Sequence, residues 1–427
     1  MHETGPAIAV AGAGLRGRGY AARIRDTGAG RIVAVAEPDP ARRARFAAEH
    51  GIAPERAFAG WREMAAAGRV ADGVIIATQD AEHAEPAIRF AGLGCHILLE
   101  KPMATSEADA QRIVEAVERA GVMLAVCHVL RYTAYTRALA SLIEDGRIGA
   151  PISVQHLEPV GWWHHAHSYV RGNWRRADES GPMLMTKSVH DVDWLIHVMG
   201  EIPARVSSFG RLSHFRPENR PSGAAARCVD CAVEPRCPYS ATRLYLSCLG
   251  DPGREAWPLG AVTDDRTEEG VLRALREGPY GRCVYACDND VVDHQVVNME
   301  FPSGATGVFT MTAFSPAAQR QTRVFGTSGC LEGDGVRISV RDFVTGELET
   351  VEPGEASPDG RHDHADDALA DAFAAALAGG DPAPLSSGPR ESLASHRVVW
   401  AAERARLAGT VVDLARDPTP AKGTVRP

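Results

Sequence analysis

Ala7-Ile8-Ala9-Val10-Ala11-Gly12-Ala13-Gly14-Leu15-Arg16-Gly17-Arg18-Gly19-Tyr20 is the stretch on which the fold turns. Its small apolar start predicts a buried strand, and the spacing G-x-G-x-x-G follows at once, ahead of a helix. Gly12 permits the tight turn, Gly14 lets backbone approach a pyrophosphate, and Gly17 lets the helix pack on the strand. The helix then points its N-terminus, with Leu15 and Arg16 inside the motif, at the phosphates. Glu37 ends the next apolar run. A carboxylate there accepts hydrogen bonds from a ribose 2′-hydroxyl and repels a 2′-phosphate, which favours NAD over NADP. Arg42 and Arg43 lie close by and soften that preference.

Outward from this run, strand-length apolar segments (7–11, 32–36, 73–78, 96–99 and 123–127) alternate with helical ones (40–50, 84–93 and 106–120). Such alternation predicts a parallel sheet with helices on both faces. Residues 1–127 are therefore expected to form an α/β NAD-binding Rossmann domain. Beyond them the segments 151–160, 204–215, 292–301, 305–313 and 323–325 are longer and more polar, without regular helix alternation. Residues 128–427 are accordingly expected to form an α+β domain on an antiparallel sheet, with a cysteine-containing insertion near 216–290. Segments 217–226 and 353–361 read as loops, 364–377 and 391–407 as helices, and 417–427 as a frayed tail.

A chain of 427 residues exceeds one ordinary core. Its 44% hydrophobic and 24% charged residues suit a globular protein. A net charge of -9 argues against a nucleic-acid partner, which calls for a basic face. No run is long enough to span a membrane, and the N-terminus lacks a signal-peptide pattern, so a cytoplasmic location is expected. The nine cysteines then read as free thiols or metal ligands before disulfides.

Segment 73–80 reads Gly-Val-Ile-Ile-Ala-Thr-Gln-Asp, with His83 just beyond, and 95–102 reads Cys-His-Ile-Leu-Leu-Glu-Lys-Pro. With the glycine run, His190-x-x-Asp193, the 142–149 junction and Val324-Phe325-Gly326-Thr327-Ser328-Gly329, this resembles the Gfo/Idh/MocA family of oxidoreductases. The resemblance implies an open, largely antiparallel sheet in the second domain and an active site between the domains. It implies hydride transfer involving sugars, inositols or related polyols, and homodimers or homotetramers through the open sheet. Thr78, Gln79, His83 and Glu100 would line the nicotinamide side, with Lys101 beside the reacting hydroxyl. Physics agrees for Lys101. Pro102 disfavours helix before it, and a strand's C-terminal end faces the ligand crevice. Its pKa should fall near a bound nicotinamide cation.

Segment 186–199 reads as an amphipathic helix, with Val189, Val192, Leu195, Ile196 and Met199 on one side and Lys187, His190, Asp193, Trp194 and His197 on the other. That polar stripe suits a cleft wall. The family commonly has an Asp four residues before this His; here Thr186 stands there, followed by Lys187. Lys101 and His190 are expected to carry proton transfer, assisted by Lys187. Asp193 would orient His190 or hold a substrate hydroxyl. Segment 161–176 is rich in aromatic and basic residues. Trp163, His164, His167, Arg171 and Trp174 are the expected sugar contacts.

Cys228-x-x-Cys231-x5-Cys237, completed by Cys287 or Cys283, has the character of a structural zinc site stapling a coreless insertion. An iron–sulfur cluster, reduced thiols and a disulfide are the alternatives. Two functions follow. One is an NAD-dependent dehydrogenase acting on the CH–OH of a sugar, glycoside or cyclitol. The other is a glycoside hydrolase or lyase that oxidises transiently, eliminates and re-reduces, regenerating NAD.

Overall fold

A computed structural model describes residues 5–354 and 363–416. Its first sheet contains β1 (Ala7–Ala11), β2 (Arg31–Ala36), β3 (Ala57–Phe58), β4 (Gly73–Ile76), β5 (His96–Leu99) and β6 (Leu124–Val126), ordered β3-β2-β1-β4-β5-β6. All neighbours run parallel. Chain order reverses between β1 and β4, and that reversal opens the ligand crevice at the strands' C-terminal ends. Ser106 caps the helix Glu107–Ala120 by accepting from the Asp109 amide. β3 has no periodic signal in the sequence; pairing with Val35 and Ala36 makes it a strand.

The second sheet holds β7 (Pro151–Pro159), β8 (Arg205–Arg211), β9 (His294–Glu300), β10 (Thr306–Thr312), β11 (Gln321–Gly326), β12 (Gly329–Gly333), β13 (Ile338–Asp342), β14 (Leu348–Val351) and β15 (Val412–Asp413). Their order is β14-β13-β12-β11-β7-β10-β9-β8-β15. β7 and β10 run parallel and the other pairs are antiparallel. Burial alternates along β9 and β10, as a sheet covered on one face requires. Val297, Met299, Phe309 and Met311 pack in one core with Val192 and Leu195 of the helix Val189–Met199 and with Val398 and Val399 of Pro389–Ala408.

The helix Asp363–Gly379 leaves that sheet and returns to the first one. Its Ala365, Leu369 and Phe373 share a core with Tyr20, Ala21 and Ile24. Of the loop 353–361 only residues 353 and 354 lie within the described residues; the tail 417–427 lies outside them.

Two expectations are corrected. The helix 186–199 is broken into Met183–Thr186 and Val189–Met199, with Lys187 and Ser188 in the turn between. Its polar stripe is no open wall, because His190, Asp193 and Trp194 are buried along with the apolar side. The insertion between β8 and β9 is not coreless either. Tyr245, Leu259, Val271 and Leu275 form a hydrophobic cluster across its helices Ala241–Leu246 and Glu268–Glu277. Among the described residues no helix is long and apolar enough to cross a membrane.

Candidate active site

The glycine run forms a cradle. A Cβ on Gly12, whose φ is +95, would sit 2.3 Å from the Ala77 carbonyl oxygen, and one on Gly17 would sit 2.1 Å from that of Gly12. A Cβ on Gly14 would meet nothing within 4 Å among the described residues, which leaves room for a pyrophosphate at this helix N-terminus. Glu37 is buried beside it. Its Oε2 accepts from the Ala13 amide at 2.9 Å and its Oε1 from the Asp39 amide at 3.0 Å, with Arg42 Nη1 at 3.2 Å. These residues fit an NAD-type dinucleotide. Leu15 is exposed at the helix start. The Arg16 side chain is committed elsewhere: Nε donates to Glu100 Oε1 at 2.6 Å, and the guanidinium also meets Asp366 and Tyr20. Burial would raise the Glu100 carboxyl, but Arg16, with Lys101 and Tyr20, more than offsets this and holds it below its ordinary range.

Past β4, Thr78 donates to the Glu82 carbonyl at 3.0 Å. The buried His83 ring lies between the Pro102 carbonyl (Nδ1, 2.7 Å) and that of Thr78 (Nε2, 3.2 Å). It joins the two loops that flank the crevice. Gln79 Oε1 accepts from Asn173 Nδ2 at 3.3 Å, and Asp80 Oδ2 from Trp174 Nε1 at 2.9 Å. Segment 161–176 is thereby docked onto the first domain.

Lys101 lies two residues past β5, before a cis bond to Pro102, and its Nζ donates to the Thr186 carbonyl at 2.5 Å. Burial pushes its pKa down to about 8; Asp80 and Glu100 oppose the fall, while Lys187 and Arg16 add to it. Burial likewise raises Asp80, against the pull of His83 and Lys101. Lys187 Nζ is ion-paired to Glu158 Oε1 at 3.0 Å, and Glu158 Oε2 to Arg320 Nη2 at 3.0 Å. Arg320 continues to Asp191, which His156 Nε2 meets at 3.2 Å. His164 is held neutral, first by burial and then by Lys187. Burial also keeps the Tyr169 phenol protonated. His190 presents its ring edge to His128 at 5.9 Å, and burial keeps His128 neutral with a pKa of about 4.

The structure therefore brings Lys101 and Tyr169 to Thr186, with Lys187 next in chain, Asp80 beside Lys101 and His164 beside Lys187. Trp163 joins their edge, 5.4 Å from Trp257 of the insertion, which also lies 4.9 Å from His164. Trp174 stacks on Tyr169 at 6.0 Å.

Three expected substrate contacts are placed elsewhere. Asp193 is fully buried and grips Arg131 in two bonds of 2.6 and 2.7 Å, with Ser395 Oγ at 2.6 Å. Breaking such a buried pair costs about 3–5 kcal/mol, so this is a structural clamp. His167 bonds Tyr245 OH at 2.7 Å and stacks on Tyr280 at 4.9 Å, inside the insertion's packing. Arg171 is buried and donates to the carbonyls of Arg282 and Tyr239 at 2.8 and 2.7 Å.

The zinc expectation finds no support. Among the described residues no group of three or more His, Cys, Asp or Glu side chains is placed to hold a metal ion, and Cys228, Cys231, Cys237 and Cys287 are free thiols. Cys228, Cys231, Cys237 and Cys283 line one small cavity, whereas Cys287 turns to the Cys283 carbonyl at 3.3 Å.

Asp80, Tyr169, Glu158 and Arg320 have no role in the sequence reading. Asp80 closes the quoted 73–80 segment and Tyr169 lies in the aromatic stretch, so both carried a partial signal. Glu158 and Arg320, in and beside antiparallel strands, carried none.

A family model described as "Oxidoreductase family, NAD-binding Rossmann fold" matches residues 7–128, and its partner, "Oxidoreductase family, C-terminal alpha/beta domain", matches 140–414. A 1,5-anhydro-D-fructose reductase from Ensifer adhaerens is 33% identical over 183 residues, 42% of this chain and 52% of that protein. A 2,7-anhydro-N-acetylneuraminate hydratase from Escherichia coli (strain K12) is 31% identical over 150 residues, 35% of this chain and 39% of that one. The matches thus span about half of these curated relatives or less. A crystal structure of an oxidoreductase from Agrobacterium radiobacter, in complex with NAD+, L-tartaric acid and magnesium, superposes with a TM-score of 0.69 at 17% identity. It covers 96% of this chain and 99% of that one, a likeness of fold.

Proposed function

Because this chain belongs to the Gfo/Idh/MocA oxidoreductase family, we propose that it oxidises or reduces the carbinol carbon of a sugar, glycoside or cyclitol with NAD. The observation that carries the reading is the placement of Lys101, two residues past β5: its Nζ donates to the Thr186 carbonyl, the neighbouring Glu100 is held by Arg16 of the glycine run, and burial pushes the lysine's pKa down to about 8. When bound, the dinucleotide supplies hydride acceptance and return. Gly12, Gly14 and Gly17 hold its pyrophosphate, and the Glu37 carboxylate selects an unphosphorylated ribose.

Lys101, as the neutral amine, takes the proton of the substrate hydroxyl while the carbinol C–H leaves as hydride. In the reverse direction the ammonium returns that proton. Lys187, held by Glu158, keeps a positive charge beside the developing alkoxide. His190 serves as the second proton-carrying group. Trp163, Trp174 and His164 contact the sugar. We also place the enzyme in the cytoplasm, on the ground of its free thiols, and as a homo-oligomer joined through the open face of the second sheet.

A second reading has support in the excess of proton-carrying groups at the centre. Lys187, His164 and Tyr169 stand beside Lys101 beyond what one deprotonation needs. They suit transient oxidation followed by elimination, in which NAD is regenerated each turnover.

Incubation of the purified protein with NAD+ and a panel of sugars, cyclitols and aryl glycosides separates the two. Net NADH is the expected result. Aglycone release at substoichiometric NAD+ selects the second reading. Absence of both, in protein that binds NADH, overturns the proposal.

A further inference from the structure

A cavity of about 470 Å³ lies between segment 171–175 and the insertion. Arg171, Arg175, Arg227 and Arg282 line it, together with Glu277 and Asn173. The volume falls in the range of small-molecule sites, about 300–1,000 Å³. Four guanidinium groups around one cavity stand out in a chain of net charge -9.

Their partners leave a cationic surplus. Arg175 Nε and Arg282 Nη1 share one carboxylate, Asp288, at 3.0 and 2.8 Å, and Arg175 Nη1 also meets Glu179 at 3.2 Å. Arg227 Nη1 reaches only backbone carbonyls, those of Leu275 and Gly278, at 2.8 Å each. Arg171 is 1% exposed, and among the described residues its Nη1 has no hydrogen-bond acceptor. A buried guanidinium nitrogen without an acceptor is costly, and guanidinium forks match the planar oxygens of carboxylate, phosphate and sulfate.

We propose that this arginine-lined cavity is a binding site for an oxyanion-bearing small molecule, a carboxylate, phosphate or sulfate group being the part recognised. The cavity is joined to the active centre. Asn173, on its wall, donates to Gln79, and the next residue, Trp174, donates to Asp80. Occupancy of the cavity therefore bears on the loop that follows β4. The site goes beyond the proposed dehydrogenase reading and does not depend on it.

The full chain, without dinucleotide, is titrated with sodium sulfate, sodium phosphate, D-glucuronate and D-glucose. Thermal shift and calorimetry read the binding, each anion against sodium chloride at equal ionic strength. At least one oxyanion is expected to raise Tm beyond the chloride control, with Kd at least tenfold weaker in Arg175→Gln/Arg282→Gln. Arg282→Lys, which keeps the charge, provides a second variant should the double one fold poorly; its loss of the fork is expected to weaken Kd several-fold. Saturation by sulfate or phosphate identifies a free-anion site. Response to glucuronate alone assigns the anion to a sugar acid. Either supports the site. No response beyond chloride, or equal affinity in the wild type and the variants, overturns it. Neither NAD nor turnover enters the readout, so failure here is distinct from failure of the proposed reaction.

Discussion

The surroundings of Lys101 lower its pKa before any ligand arrives, which suits the proton transfer proposed for it. A lysine ordinarily titrates near 10.4, and burial with the Lys187 and Arg16 cations brings this one to about 8, against the pull of Asp80 and Glu100. The sign is fixed by the role. A base must be neutral, and below a pKa of 8 the neutral fraction falls tenfold per pH unit. In the oxidative direction kcat/KM should therefore rise with unit slope up to about pH 8 and then level. Lys101→Ala should lower kcat by about 100-fold to 10 000-fold while NADH affinity stays unchanged. Full turnover in that variant, or a flat profile from pH 6 to 9, removes Lys101 from the chemistry. Lys101 is legible in the sequence because Glu-Lys-Pro marks the end of a strand. Lys187 is legible beside the His190 motif, but Asp80 and Glu158 are not, because they meet these lysines only across the fold. Asp193, His167 and Arg171 mislead for the converse reason: a polar residue type reads alike whether it faces a ligand or is satisfied in the core.

The same contrast holds for elements. The strand–turn–helix of the glycine run is local, so its spacing alone predicts its shape. The predicted helix 186–199 breaks at Lys187 and Ser188, where the chain turns to put the Thr186 carbonyl on Lys101 and the Lys187 ammonium on Glu158. Side-chain periodicity cannot report a break imposed by tertiary contacts. Within the cradle the glycines differ in a way that can be measured. A Cβ at Gly12 or Gly17 collides with backbone, so Gly12→Ala and Gly17→Ala should lose thermal stability and dinucleotide binding together. A Cβ at Gly14 meets no protein atom. Gly14→Ala should keep its Tm within about 2 °C, a surface-type effect of under about 0.5 kcal/mol, yet bind NADH at least tenfold more weakly. Gly19→Ala, also without a close neighbour and inside the helix Leu15–Thr27, should leave NADH binding unchanged and raise stability by about 0.5–1 kcal/mol. Differential scanning fluorimetry with NADH fluorescence titration decides; wild-type affinity in Gly14→Ala shows that the pyrophosphate lies elsewhere.

At the scale of the whole molecule, alternation of short strands and helices announces the first sheet, and polar, longer strands announce the second. The return of Asp363–Gly379 to the first sheet is hidden, since an apolar helical stripe does not say which core it fills. What the second sheet's other face does is open to experiment. Register places Phe209, Val296, Thr310 and Leu157 side by side across β8, β9, β10 and β7. The buried set of these strands faces the opposite way, and Phe209 remains 63% exposed. An isologous contact would use this row twice. Fully burying each phenylalanine would then stabilise the dimer by about 1.5–3 kcal/mol. Introducing a carboxylate there removes that gain and sets like charges close together, which should weaken association at least 100-fold. Light scattering at micromolar concentration should show the wild type as a dimer or tetramer and Phe209→Glu as a smaller species with unchanged circular dichroism. A monomeric wild type ends the idea of assembly, and a Phe209→Glu protein that assembles like the wild type moves the interface off this face.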